Sequence, residues 1–472
     1  MSCRICKPRG GGRGYINLFG KIGYCNNFIK SNFHNFIDVN RKNFTTGNLK
    51  SNDAKDEASF TITSDTIRID GQSFPVDDFT NVTPNILSKI KRQLHLHQSH
   101  PISILRNLIE TQLNDFRHFN SFSPIVSTRQ NFDDLGFPID HVGRNKTDSY
   151  YINRSVMLRT HTSAHQLQIL SAGENKFLVS ADVYRRDEID SNHYPVFHQM
   201  EGVQVFDVAE AKEQVSCDIT KIGQFNSACV LISNEADTDT STNNQKNPIQ
   251  FCHPVEAANS VGLHLKHTLN ELVKRLFKDE KELKVRWIDA YFPFTSPSWE
   301  MEVLYQGKWL EICGCGVILQ DLMNKAVRPN EIGWAFGLGL ERIAMVLFDI
   351  PDIRLFWSND PRFLDQFTTN EIKKFKPFSK YPASTRDISF WVDNNKGFHE
   401  NNFCELVRSI AGDLVEDAKM IDEFVHPISK RRSLCYRIIY RSMDRNVTNE
   451  EINQIQLDVQ KEVQTQLGVI LR

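Results

Sequence analysis

Arg185 and Asp187, followed by Phe197, Gln199 and Glu201, are the side chains whose types and spacing point most directly to chemistry. Residues two apart on a strand share a face. Phe197, Gln199 and Glu201 are therefore predicted to point the same way, as an aromatic plate followed by an amide and a carboxylate. Arg binds phosphate through a planar fork, and a carboxylate with an amide oxygen accepts hydrogen bonds from an ammonium. Such a face suits a ligand that is part anion, part flat ring and part ammonium. The same residue types also populate the solvated face of an ordinary antiparallel sheet, so this stretch alone leaves both readings open.

The elements that must position these groups are legible around them. KFLVSADVY, from Lys176, is rich in β-branched and aromatic residues, and VFHQMEGVQVF, to Phe206, alternates. Between them RRDEIDSNHYP is too polar for a core and ends at Pro195. The pattern predicts an antiparallel hairpin with a long functional loop. A second stretch, IGWAFGLGLERIAMVLF from Ile332 to Phe348, reads as a glycine-bearing strand entering an apolar helix, with Arg342 on its first turn. GLGLER is half of a dinucleotide-binding fingerprint. That reading fails, because there is no third Gly and no βαβ unit with an acid about 20 residues on.

Taken together the two stretches resemble the class II aminoacyl-tRNA synthetases. VYRRD is similar to their motif 2 and Gly337 to Arg342 to motif 3. RTHTSAHQ (Arg159 to Gln166), FHQMEG, YFPF (Tyr291 to Phe294) and WAFGLGLER resemble the phenylalanyl family within that class, in its single-chain mitochondrial layout. The resemblance covers roughly residues 80 to 472. It implies an α+β fold, with a class II antiparallel sheet flanked by helices and a C-terminal ferredoxin-like domain. It implies activation of L-phenylalanine with ATP and Mg²⁺, then transfer of the phenylalanyl group to the 2′-hydroxyl of tRNA(Phe).

Site residues follow from the same resemblance. Arg185, Glu311 and Arg342 are the implied catalytic groups, with Glu311 linked to Mg²⁺. The phenylalanine site is implied at His161, Ser163, Ala164, His165, Gln166, Gln199, Glu201, Phe292, Phe294, Ala335 and Phe336. Phe292 and Phe294 are read as alternating onto one face as pocket walls, and Ala335 as a floor that leaves room for a phenyl ring. ATP is implied at Arg185, Asp187, Asn192, His193, Tyr194, Phe197, Met200, Glu311 and Arg342, with adenine between Phe197 and Arg342. A synthetase-derived tRNA-binding protein without activity is the alternative. Its sign would be loss of Arg185, Glu311 or Arg342, and all three are present. The catalytic subunit of a heteromeric enzyme is disfavoured by the fused C-terminal domain and the basic leader.

Composition is consistent with that assignment. The 472 residues are 40% apolar and 24% charged, ordinary for a globular protein. The formal net charge of -2 means that a nucleic-acid surface has to be a local patch. No apolar run approaches the ~18 residues that span a bilayer, so no membrane partner is expected. The ten cysteines show no disulfide framework, and reduced thiols are expected.

Along the chain, residues 1–50 hold nine Lys and Arg and one acid, Asp38, with interspersed aromatics. That is how an organelle transit segment reads, the other reading being a basic tail that touches RNA; with the mitochondrial layout of the resemblance, it implies the mitochondrial matrix. Residues 51–350 are read as the catalytic domain with an N-terminal extension. Thr83 to Leu96 and His100 to Phe116 are predicted as helices, the second with an apolar stripe. The helix-then-strand element resembles motif 1, a dimer interface in most of the class. In the single-chain form it packs within a monomer, so a monomer is expected. Residues 236–250 read as a polar loop insertion and 351–380 as a linker.

Residues 381–472 read as strand, helix, two strands, helix, strand, a ferredoxin-like order that resembles the family's anticodon-binding domain. Acids slightly outnumber bases there. The basic residues concentrate in Lys430, Arg431, Arg432, Arg437, Arg441 and Arg445, the expected tRNA-binding edge.

Overall fold

The hairpin forms as its alternation predicts. In the computed structural model, β2 (Lys176–Tyr184) pairs antiparallel with β3 (Val196–Asp207), from Lys176↔Gln204 to Tyr184↔Val196. Both strands are buried along almost their whole length, as expected of the centre of a large sheet. The structure describes residues 60–223, 231–235, 247–278, 282–369, 371–377, 381–392 and 397–472. The expected leader and residues 236–246 of the expected insertion lie outside them.

Eight strands form the catalytic sheet. The others are β1 (Arg117–Phe119), β4 (Leu231–Glu235), β5 (Glu282–Asp289), β6 (Thr295–Tyr305), β7 (Lys308–Ile318) and β8 (Glu331–Gly339). Their order is β4-β5-β6-β7-β8-β3-β2-β1, with β1–β2 and β4–β5 parallel and the remaining pairs antiparallel. Helices α1 (Pro101–Gln112), α2 (Val255–Leu276) and α3 (Leu340–Phe348) supply apolar stripes to the core with the sheet.

Two expectations in this part need correction. Residues 83–96 are not one helix. Thr83 caps a single turn, Pro84–Leu87, and the chain then runs through turns to a left-handed Gln93 (φ 35°). Buried Leu94 and His95 fix this path, the ring of His95 bonding the carbonyl of Asn120 at 3.0 Å, so tertiary contacts override local propensity. Residues 351–380 are not a free tether either. Phe356, Trp357, Phe363 and Phe367 are buried in the same core as the catalytic sheet.

The C-terminal unit has the expected order. It comprises β9 (Ser384–Val392), α4 (Glu400–Ala411), β10 (Val415–Val425), β11 (Arg432–Tyr440), α5 (Asn449–Leu467) and β12 (Ile470–Leu471), in an antiparallel sheet ordered β10-β11-β9-β12. Thr448 caps α5 by accepting from the N–H of Glu451, and left-handed Gly468 ends it. The unit is not separate from the catalytic sheet. Buried Ile189, from the hairpin loop, packs in the ferredoxin core. Tyr150 donates to Glu405 at 2.6 Å, and buried Arg354 donates to the carbonyls of Asp413 and Arg441, both at 3.0 Å.

Each buried polar group stripped of its partner costs about 1–3 kcal/mol. A chain ending at Phe378 leaves Tyr150, Arg354 and Ile189 without theirs. Scanning calorimetry should therefore show its catalytic unit melting about 5 °C or more below that of the intact protein. An unchanged midpoint would mean that this contact surface contributes nothing to the fold.

Candidate active site

Where β2 ends, the N–H of Arg185 bonds the carbonyl of Pro195 at 3.0 Å and closes the loop. The Arg185 side chain is held from behind by the carbonyl of Thr160, to which Nε donates at 2.8 Å. Its guanidinium lies 5.1 Å from the centre of the Phe197 ring. Burial, with the charge of Arg342 acting the same way, lowers its pKa, while Asp187 and Glu311 oppose the shift. Arg185, Arg342 and Glu311 thus sense one another. Arg342 donates to Glu311 at 2.9 Å, both side chains being about half exposed.

These groups line one end of a cavity of about 680 Å³, together with Asp187, Asn192 and His193. The ring of His193 bonds Asp190 at 2.8 Å, and this bond raises its pKa. The other end is aromatic. Phe292 and Phe294 have ring centres 6.1 Å apart, Phe294 is 5.9 Å from Phe137, and Phe137 stacks flat on His161 at 5.5 Å. Ala335 and Phe336 also line it. Phe292 and Phe294 do not reach one wall by strand alternation. They sit in a tight turn closed by a bridge between Phe292 and Thr295. Two glycines make room: a Cβ at Gly314 would come 2.5 Å from the Phe292 ring, and one at Gly337 would come 2.6 Å from the Gln199 amide nitrogen.

Glu201 and His161 line the cavity with oxygens and ring nitrogens that no protein group bonds in good geometry, although the Ser163 and Thr162 hydroxyls lie close enough to Glu201 to attract it. The Thr162 hydroxyl and the Gln166 amide, off the cavity lining, are buried without partners as well. Burial holds His161 neutral, pushing its pKa down to about 3, with Arg185 acting in the same direction. Burial pushes the Glu201 carboxyl up to about 7, against the pull of the Ser163 and Thr162 hydroxyls. Buried groups left this way are costly and mark places where a polar ligand binds.

Four of the expected residues, Met200, Ala164, His165 and Gln166, do not line the cavity, and a fifth, Tyr194, has its hydroxyl committed to another partner. Met200 is fully buried in the core, because the alternation that turns Gln199 and Glu201 to the cavity turns Met200 away. Ala164 and His165 are buried off the cavity, His165 stacked on Phe122 at 4.3 Å with Arg159 against its other edge at 3.0 Å. Tyr194 lines the cavity, but its hydroxyl donates to Asp413 of the ferredoxin unit at 2.6 Å. Other residues escaped the sequence reading. Buried Arg159 braces β2 through Asp182, at 2.6 Å to its carbonyl and 2.5 Å to its carboxylate. Asn401 of α4 lines the cavity rim and donates to the carbonyls of Thr147 and Arg186.

Oxygen ligands for a hard cation are present. Glu302 faces Glu311 across β6 and β7. Burial, then repulsion from Glu311 and Glu302, raises the pKa of Glu300. Carboxylates held against mutual repulsion fit Mg²⁺, which takes few protein ligands when phosphates supply the rest. Among the described residues no group of three or more His, Cys, Asp or Glu forms a metal cage.

The expected basic edge is largely neutralised. Arg432 pairs with Glu423 at 2.5 Å, Arg437 with Asp387 at 2.8 Å, Arg441 with Glu416 at 2.9 Å and Arg445 with Glu451 at 2.5 Å. The fold brings these cations against acids of a neighbouring strand or helix that spacing along the chain does not reveal. Beside them, on the sheet face away from the helices, Trp391 meets Phe424 and His426 at 6.1 and 6.2 Å. Arg431 and Arg472 lie 5.6 and 5.5 Å over Trp391. Lys430 sits at the adjoining turn, with φ 55°.

The family model for the tRNA synthetases class II core domain (F) matches residues 84–215 and 255–367, and that for the ferredoxin-fold anticodon binding domain matches 379–472. The mitochondrial phenylalanine--tRNA ligase of Saccharomyces cerevisiae is 47% identical, over 86% of this chain and 95% of that protein. This chain belongs to that family of class II tRNA synthetases. The chloroplastic/mitochondrial ligase of Arabidopsis thaliana is 47% identical over 84% of each chain. The mitochondrial ligase of Mus musculus is 46% identical over 85% of this chain and 88% of that protein. The class II core match ends at residue 367, inside the stretch whose aromatics pack into the catalytic core.

The raised carboxyl of this synthetase core has a measurable consequence. Glu201 ionises near 4.5 in the unfolded chain and near 7 in the folded one. The unfolded state therefore sheds its proton first, and the group destabilises the fold increasingly as pH rises from about 4.5 to about 7. Glu201→Gln should gain thermal stability relative to the parent between pH 5 and pH 8. A difference that does not grow over that interval would show that Glu201 titrates normally.

Proposed function

We propose that this protein activates L-phenylalanine with ATP and transfers it to tRNA(Phe) for mitochondrial translation, working as a monomer in the matrix. The observation that carries this reading is the cavity, where an aromatic pocket adjoins buried, unpartnered polar groups and then a cluster of Arg185, Arg342 and Glu311. An aromatic amino acid fills the first part, its ammonium meets Glu201 and Gln199, and its carboxylate faces Arg185. The names of the relatives point the same way.

Activation is an in-line attack of the amino-acid carboxylate on the α-phosphorus of ATP, with pyrophosphate leaving. Positioning and charge stabilisation dominate such a step. Arg185, held from behind by the carbonyl of Thr160, brings the α-phosphate and the attacking carboxylate together. Phe197 and Arg342 take the two faces of the adenine. His193, biased toward its cation by Asp190, reaches the outer phosphates. Mg²⁺, held by Glu311 with Glu300 beside it, would neutralise charge on the departing phosphates. The adenylate then acylates the terminal ribose of the tRNA. The three groups whose loss would mark a catalytically silent relative face one cavity, which disfavours that alternative.

The tRNA contact of the ferredoxin unit is better placed on the face with Trp391, Phe424 and His426 than on the paired arginines. Accessible aromatic faces stack on unpaired bases; Phe424 is exposed and Trp391 half-buried, with Arg431 and Arg472 as cations next to them. Each stacked base is worth about 1–3 kcal/mol, so Trp391→Ala should raise the KM for tRNA by about fivefold or more. Charging assays in which its KM stays at the parent value would move the RNA contact off this face.

The activation step is tested by amino-acid-dependent ATP–pyrophosphate exchange across all twenty amino acids, with phenylalanine expected to support it. Arg185→Ala removes a contact strongest in the transition state, worth about 2.7–4 kcal/mol. Exchange should fall at least ~100-fold while circular dichroism is unchanged. Exchange within a few-fold of the parent would remove Arg185 from this role.

A further inference from the structure

The ladder between β3 and β8 stops at Gly339↔Gln199, because β8 turns there into α3. The next residue outward on β3, His198, directs its backbone N–H to the side where no strand continues. Glu341 replaces the missing strand. Its Oε2 accepts from the N–H of His198 at 2.7 Å, and its Oε1 bonds His198 Nδ1 at 2.6 Å. A carboxylate oxygen only accepts, so Nδ1 is the protonated nitrogen. His198 is 0% and Glu341 2% exposed, Glu341 lying at the wall of the cavity. The His198 ring is further fixed by stacking on Trp357 at 5.9 Å.

The place of this bracket in the sequence gives it meaning. His198 lies between Phe197 and Gln199, which face the cavity while His198 faces the core. Glu341 immediately precedes Arg342. Gly339, the helix N-cap residue, makes no side-chain cap, so these two bonds tie the start of α3 to β3 beyond the end of the ladder. We infer that Glu341 is a positioning residue for nucleotide binding, setting the separation of Phe197 and Arg342 through residue 198. The inference rests on the reading that places adenine between those two side chains. Glu341 acts on the ATP end alone: the aromatic end is built by Phe292, Phe294 and Phe137, none of which touches the bracket, and by Ala335 and Phe336, which β8 holds through its own ladder to Val203 and Gly202.

The test uses the full-length protein and phenylalanine-dependent pyrophosphate exchange, with KM measured separately for ATP and for phenylalanine. Glu341→Ala should raise the KM for ATP by about tenfold or more and lower kcat, leaving the KM for phenylalanine within about threefold of the parent. Glu341→Gln keeps an acceptor for the His198 N–H and should recover most of the loss. An ATP KM within about threefold of the parent in Glu341→Ala would overturn the inference. So would a parallel rise in both KM values, the mark of a merely structural role. Should Glu341→Ala fail to fold, His198→Phe decides. It keeps the ring stack and the backbone bond but loses the Nδ1 bond, and it should raise the ATP KM about threefold with phenylalanine unaffected. No rise in that variant overturns the inference equally. A parent protein without phenylalanine-dependent exchange would overturn the functional reading itself, and is told apart because it appears before any variant is compared.

Discussion

The register of β3 is the constraint on which the site depends. Slipping that strand by one residue would send Phe197, Gln199 and Glu201 into the core and bring His198 and Met200 to the cavity. The register is enforced on both edges, by β2 through Lys176↔Gln204 to Tyr184↔Val196 and by β8 through Glu331↔Asp207 to Gly339↔Gln199. The glycines of β8 belong to the same constraint. Gly337 lies opposite Glu201, and only a residue without Cβ leaves space there for the Gln199 amide. The alternation of one strand and the missing side chains of its neighbour are thus two halves of one packing solution.

That solution buries polar groups without satisfying them. Glu201, His161, Thr162 and Gln166 sit on rigid elements, so they cannot relax toward one another to recover hydrogen bonds. The surrounding fold offsets the cost with apolar burial on the far faces of the same strands, where Leu178, Val196 and Met200 are fully buried. Preorganised groups of this kind interact more strongly with a charged ligand than flexible ones in water, because little reorganisation remains when it arrives.

What was legible in the sequence follows from periodicity. The hairpin, the strand-to-helix passage at Gly339 and the ferredoxin order each carry a period of 2 or 3.6 over many residues. Alternation also sorts Gln199 and Glu201 from Met200, which the resemblance assigns to the ATP site. Position across space was not legible. Nothing in the spacing of Arg432, Arg437, Arg441 and Arg445 shows the acids that face them from β9, β10 and α5. Nor does the sequence near Phe292 show that a turn, not a strand, aligns it with Phe294. The segment after Phe348 looked like a linker because prolines punctuate it, yet its aromatics were the stronger signal, since burying such rings contributes more than the turns between them cost.

The hairpin loop shows how far one short segment can be shared. On one side it presents Arg185, Asn192 and His193 to the cavity. On the other, Arg408 donates to the carbonyls of Asp187 and Glu188 at 2.9 and 3.1 Å, the N–H of Ala418 bonds the carbonyl of Ile189 at 3.2 Å, and Tyr194 bonds Asp413. The backbone of the loop is therefore held by the ferredoxin unit while its side chains serve the catalytic one. A displacement of the ferredoxin unit must either break these bonds, exposing Ile189 and the carbonyls beside it, or drag the loop along. Arg185 is protected from that movement by the closure of its N–H on Pro195 and by its bond to Thr160, both within the catalytic sheet. His193 bonds Asp190 of the same loop, and beside it the carbonyl of Ser191 accepts from the N–H of Ile353 in the catalytic core at 2.9 Å. The tip of the loop is therefore tied to both units at once, to the catalytic core through Ser191 and to the ferredoxin unit through Ile189 and Tyr194, so that neither can shift without straining the segment that carries His193.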